Sequence, residues 1–144
     1  MDEINPFSGA IAAYAEAVLA KDLDAFAALY DQHIHVFDMW GEWSLHGLTA
    51  WRDVAVDWFS ALGDERVVVT SEDENSTVAG DLAIGNAILT YTAIAADGTT
   101  LRALSNRATM ALRRTGEVWK IFHQHTSAPI DHQSLRAILG RSDG

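Results

Sequence analysis

The chain has 144 residues, the length of one domain that can bury roughly 70% of the surface its unfolded form exposes. Apolar residues make up 49% of it and charged residues 21%, a globular composition without the signature of disorder. With 10 Lys and Arg against 20 Asp and Glu, the net charge of −10 repels nucleic-acid phosphates, and the lack of cysteine removes disulfides, thiolate nucleophiles and cysteine-ligated metals.

The opening segment is acidic, has no basic leader region, and its apolar stretch is interrupted by Glu16 and ended by Lys21 and Asp22. Neither export nor membrane insertion is signalled, so a cytoplasmic location is the expectation. Ile11, Tyr14, Ala15 and Val18 recur at helical spacing behind Pro6, which predicts a first helix over about 6–20. Asp22 is placed to cap a second helix whose stripe is Leu23, Phe26, Leu29 and Tyr30, running to about Asp31, and the two helices form a hairpin.

The segment HIHVFDMW then alternates as a short strand, with Ile34, Val36 and Asp38 on one face and His33, His35 and Phe37 on the other. Thr49 is placed to cap a third helix, rich in aromatics, through Trp51, Val54, Ala55, Trp58, Phe59 and Leu62. From Glu65 the period becomes that of strands: four long segments, separated by turns at Ala79-Gly80-Asp81, Asp97-Gly98 and Thr115-Gly116, predict an antiparallel meander. Asp131 to Leu139, closed by Gly140, reads as a tail or short helix over 131–140. Helices first and sheet after define an α+β domain spanning 1–144, with its core at about 6–129.

Asp38 shares its face with two aliphatic side chains. Burial there would raise its pKa and make it a usable proton acceptor near neutral pH; the plain alternative is a capping carboxylate at a strand end. Tyr14 sits on a buried stripe, so its hydroxyl needs a partner, either a backbone carbonyl or a ligand oxygen. Arg107, flanked on its face by Ser105 and Thr109, has the chemistry to grip a carboxylate or enolate. Its direction depends on the last hairpin: a two-residue turn sets Asn106 across from His125, and a three-residue turn sets Arg107 there. His123 and His125 share a face with Trp119, Ile121 and Ser127 in either register, and one of them is expected to meet the pocket.

The pairs His33/His35 and His123/His125 have chelating spacing, but Asp38, the nearest further ligand, falls on the opposite face from His33 and His35, so no metal site is assigned. Trp51 reads as core, Trp58 as lining a cavity, and Trp40 and Trp43 as covering its mouth. No phosphate-cradling glycine loop or nucleophile elbow is present, so no cofactor and no covalent catalysis are indicated.

These elements together resemble the SnoaL-like branch of the nuclear transport factor 2-like superfamily, from Tyr14 to Pro129. The carriers are AYAEAVLAKDLDAFAALY, VAGDLAIGNAILTY, and above all DGTTLRALSNRATMALRRTGEVWKIFHQHTSAP, which is similar also to the association domain of calcium/calmodulin-dependent kinases. The resemblance implies a cone-shaped, cystatin-like curved sheet packed against about three helices, with one internal pocket for a small organic ligand. It also favours the register that faces Arg107 across from His125. Tyr14, the Asp22-Leu23-Asp24 turn and Asp38 fall at the places of the ketosteroid isomerases. In that branch the tyrosine donates to an oxyanion and the aspartate moves the proton, beside a second, protonated acid. This chain has Asn106 or Ala108 there.

The implied function is a small-molecule-binding protein, an isomerase, dehydratase or hydrolase without a cofactor, using Asp38 and Tyr14 on a carbonyl compound, with Trp40, Trp58, Arg107, His123 and His125 as ligand contacts. The alternative is a non-catalytic binding or self-association module. Relatives commonly bury the outer sheet face against a second copy, which implies a homodimer.

Overall fold

The computed structural model describes residues 5–140. Helix α1 (Pro6–Ala20) begins where Asn5 Oδ1 accepts the backbone N–H groups of Phe7 and Ser8 at 3.0 and 3.2 Å, satisfying donors that no helix can pair internally. It ends at Lys21, in the left-handed region at φ 53°. Ile11, Tyr14 and Val18 are buried, as their spacing predicts, together with Phe7 and Ala17.

Asp22 does cap α2 (Leu23–Ala27), accepting from Ala25 N–H at 3.0 Å. This helix stops four residues short of the expected Asp31. Ile121 N–H donates to the Leu29 carbonyl at 2.9 Å, and Tyr30 already opens strand β1 (Tyr30–Phe37). Pairing with the sheet therefore takes residues whose apolar spacing alone reads as helical.

Strand β2 (Leu45–His46) leads into α3 (Leu48–Leu62), which starts one residue before Thr49 and has no side-chain cap. Gly47, at φ 93°, stands at its entrance, and its N–H donates to the Ile34 carbonyl at 2.8 Å. That bond to β1 fixes where the helix begins, so Thr49 lies inside the first turn.

Strands β3 (Arg66–Ala79), β4 (Leu82–Ile94), β5 (Thr100–Thr115) and β6 (Val118–Ser127) form the meander that the turn residues predict. The open, curved sheet has the order β2-β1-β6-β5-β4-β3. Every neighbouring pair is antiparallel except β1 and β6, which run parallel. A helix and four strands separate those two in sequence, so no hairpin dictates their relative direction. The α helices cover one face. There the Phe7 ring lies on Gly85, where an added Cβ would meet Phe7 Cγ at 2.1 Å, so β4 needs a glycine at that point for the helix to approach.

The β5–β6 hairpin differs from both expected registers. Thr115 pairs with Val118, so the loop is Gly116-Glu117, one residue later than Thr115-Gly116. Beyond it Leu112 pairs with Ile121 but Ala111 pairs with His123, which leaves Phe122 as the extra residue of a bulge. A bulge of this kind exchanges the faces of everything that follows. Ile121, Gln124 and Thr126 are thus all buried under the helices, while His123 and His125 point to the opposite face. Across from them, His125 faces Thr109 and Arg107 faces Ser127.

Residues 131–140 form a tail without a helix. Asp131 Oδ1 accepts from Gln133 and Ser134 N–H at 2.9 and 3.0 Å, Ile130 bridges Ala137, and the Leu139 carbonyl accepts from Ser105 N–H at 2.8 Å. The tail thereby turns back on itself and is tied to β5 by the Ser105–Leu139 backbone hydrogen bond. No described helix is long and apolar enough to cross a membrane.

Candidate functional site

Between the helices and the covered sheet face lies a cavity of about 420 Å³. Tyr14, from the middle of α1, reaches it with its hydroxyl 3.0 Å from that of Tyr91 on β4. The two rings meet edge to face, with centroids 6.4 Å apart. Burial raises the pKa of Tyr14 well above 10, and the neighbouring Tyr91 adds to it. Tyr91 is raised by burial too, against a lowering influence of Tyr14 and of the Asn106 amide beside it. Both phenols therefore remain neutral donors in the ordinary pH range.

Asp38, one residue past the end of β1, follows Ile34 and Val36 on the covered face and turns its carboxylate into the cavity. Thr126 on β6 holds it: the Thr126 hydroxyl donates to Asp38 Oδ1 at 3.1 Å and accepts from Met39 N–H at 3.0 Å. Burial raises the Asp38 pKa, and the Thr126 hydroxyl with the N–H groups of Trp40 and Met39 opposes the rise only in part. No cation is paired with Asp38 among the described residues. Arg102, the other charged side chain on the lining, is held at 2.6 Å by Glu65.

The walls are aromatic. Trp51 from α3 packs against Phe26 and Tyr30 with ring centroids 5.9 and 6.0 Å away, and Trp58 lies 6.1 Å from Tyr91. Tyr30, whose pKa burial also raises, donates to Gln124 Oε1 at 2.9 Å. Two buried polar atoms have no hydrogen-bond partner among the described residues: Trp51 Nε1 and Asn106 Oδ1.

Of the residues singled out from sequence, Asp38, Tyr14, Trp40 and Trp58 come together on this cavity. Arg107, His123 and His125 do not: Arg107 alternates on β5 with the buried Asn106 and Ala108, and the Phe122 bulge puts the two histidines on the far side of the sheet. There Arg107 Nε donates to Ser127 Oγ at 3.1 Å, in a groove shared with His125, Asn86 and Asp73. His123 Nδ1 lies 2.9 Å from the His35 carbonyl, and Phe37 packs 5.3 and 5.4 Å from the rings of His123 and His125. Trp43 is 96% exposed and does not line the cavity, whereas Trp51, read as plain core, does. Also missed were Tyr91, which alternates with the buried Leu89 and Ala87 and so had a readable inward direction, and Thr126, which had no such signal because the bulge precedes it.

Solved structures with this fold include an NTF2-like protein of unknown function from Pseudomonas putida KT2440, 24% identical over 94% of this chain and 93% of that one, with a TM-score of 0.81. A candidate calcium/calmodulin-dependent protein kinase II association domain from Xanthomonas campestris is 13% identical, covering 90% and 89% of the two chains, with a TM-score of 0.74. An NTF2-like protein with a cystatin-like fold from Novosphingobium aromaticivorans is 18% identical, covering 85% and 79%, with a TM-score of 0.71. No curated protein matches the sequence significantly. The model of the SnoaL-like domain matches residues 8–131, and with the fold and these neighbours it shows that the chain belongs to the SnoaL-like domain family.

Proposed function

We propose that the cavity binds a small organic molecule and that Asp38 moves a proton on it, in an isomerase, dehydratase or hydrolase reaction of a carbonyl compound that needs no cofactor. The observation that carries this reading is the presence of one cation-free carboxylate and the Tyr14–Tyr91 hydroxyl pair on the same apolar lining. A carboxylate whose pKa is raised by burial is a better base than one in water. In the proposed step Asp38 takes a proton from the carbon beside a carbonyl, and negative charge moves to the carbonyl oxygen. Either hydroxyl of the 3.0 Å pair can donate, and the order in which Tyr91 donates to Tyr14 leaves the Tyr14 hydrogen free to meet that oxygen. The carboxylic acid then returns its proton to another carbon or to a leaving hydroxide.

The test begins with a thermal-shift screen of carbonyl compounds, since a ligand of the folded state raises its Tm. For a hit that is turned over, Asp38→Asn abolishes turnover and leaves affinity nearly intact. Undiminished activity in that variant removes the role proposed for Asp38.

A second reading, self-association without catalysis, draws on the association-domain neighbour and on the outer sheet face, where Phe37 and Ile84 are 37% and 52% exposed. On either reading we infer a homodimer through that face. Light scattering that finds a monomer at micromolar concentration refutes it.

A further inference from the structure

We propose that Asn106 Oδ1 and Trp51 Nε1 are ligand contacts that select an uncharged aromatic molecule carrying a hydroxyl group; this rests on the small-molecule reading of the cavity. Asn106 is 7% exposed and Trp51 5%, and both line the cavity. A buried polar atom left unpaired is costly, so structures rarely keep one without a reason.

The orientation of the Asn106 amide follows from its neighbours. Its Nδ2 lies 3.4 Å from Met39 Sδ, and the amide sits beside the Tyr91 hydroxyl and lowers its pKa, as a donor does. Turning the amide over would set its oxygen against the sulfur lone pairs and remove the donor from Tyr91. Oδ1 is therefore the unpaired atom, and it needs a donor. At Trp51 the need is reversed. The indole N–H lies beside Tyr30, whose hydroxyl gives its hydrogen to Gln124 Oε1, and helps hold the Tyr30 pKa down, yet among the described residues no acceptor meets it at bonding geometry. That N–H needs an acceptor.

A cavity that offers one free acceptor and one free donor matches a hydroxyl group, alone or with a second oxygen. Charge narrows the class further. A ligand carboxylate would lie near Asp38 with no free cation to balance it, because Arg102 is held by Glu65. The walls supplied by Trp51, Trp58 and Tyr91 suit a flat aromatic body.

The experiment uses calorimetry of the full chain at neutral pH with 2-naphthol, 2-methoxynaphthalene, naphthalene and 2-naphthoate. Expected is 2-naphthol binding about tenfold more tightly than 2-methoxynaphthalene, which cannot donate, with 2-naphthoate weakest. Asn106→Leu erases the difference between the first two without weakening naphthalene. Independently of any variant, 2-naphthol shifts the Trp51 indole N–H signal in a nitrogen-15 correlation spectrum, assigned with Trp51→Phe. Equal affinity for the naphthol and its methyl ether overturns the proposal, as does tighter binding of the naphthoate, a hydroxyl preference that survives in Asn106→Leu, or an unmoved Trp51 signal. If none of the naphthalenes binds, the small-molecule reading itself falls with it.

Discussion

Removing the hydroxyl of Tyr14 tests whether the tyrosine pair is an energetic unit. In Tyr14→Phe the ring stays and its edge-to-face contact with Tyr91 survives, but the 3.0 Å hydrogen bond is lost. A buried hydrogen bond contributes about 1 kcal/mol net, and a partner left without one adds a desolvation penalty. Tyr14→Phe and Tyr91→Phe should each cost about 1–2 kcal/mol, the second more if the Asn106 donor is left idle as well. In the double variant no hydroxyl remains unpaired, so its loss falls short of the two single losses added together by about 1 kcal/mol. Near the melting point each 1 kcal/mol moves Tm by about 4 °C for a chain of this size. Urea unfolding of the wild type, both single variants and the double variant closes the cycle. Losses that add to within about 0.3 kcal/mol mean that the two hydroxyls do not share a bond, and the relay drawn toward a ligand oxygen loses its footing.

Gly85→Ala should destabilise the protein by about 1–3 kcal/mol, because the new Cβ would stand 2.1 Å from Phe7 Cγ and force α1 off the sheet; an unchanged denaturation midpoint contradicts that close approach. Asp38→Asn gives a pH-dependent gain. Burial raises the native pKa of Asp38 above its ordinary 3.8, so the folded state binds this proton more tightly than the unfolded state. The stability tied to this group is full below 3.8 and lost as pH rises through the raised native value. The variant escapes that loss, so its stability advantage over the wild type grows across the window and then levels off. An advantage that shrinks with rising pH shows that the carboxylate is stabilised in place.

Local signals carried much of the fold. The stripe of α1, the strand period from Glu65 and the inward face of Ile34, Val36 and Asp38 each depend on neighbours a few residues away, and the structure places them accordingly. Where the reading departed, a distant partner decided. The end of α2 is set by Ile121 bonding to Leu29, the start of α3 by Gly47 bonding to Ile34, and the tail by Ser105 bonding to Leu139. None of those pairings leaves a trace in local spacing.

The site divides along the same line, and one residue accounts for most of the division. Alternation counted back from Trp119 and Ile121 correctly assigns Ile121 to the covered face, then assigns His123 and His125 there too, because nothing in the sequence marks Phe122 as an extra residue. With Phe122 set aside and the Arg113 guanidinium 4.3 Å above its ring on the outer face, the polar residues that reach the cavity from β6 become Gln124 and Thr126 in place of two imidazoles. The chemical consequence is large. Imidazoles beside Asp38 would have offered it a cation and a competing base, whereas Thr126 offers one hydroxyl and leaves burial to dominate its pKa. Deleting Phe122 removes the extra residue itself, so Ile121, Gln124 and Thr126 keep the covered face and His123 and His125 keep the outer one. The Tyr30–Gln124 bond at 2.9 Å and the Thr126–Asp38 bond at 3.1 Å are then retained, and the variant, which loses the Arg113 contact with the Phe122 ring, is expected to fold cooperatively. A deletion variant that no longer unfolds cooperatively contradicts the view that Phe122 is the extra residue whose accommodation fixes which side chains the cavity sees.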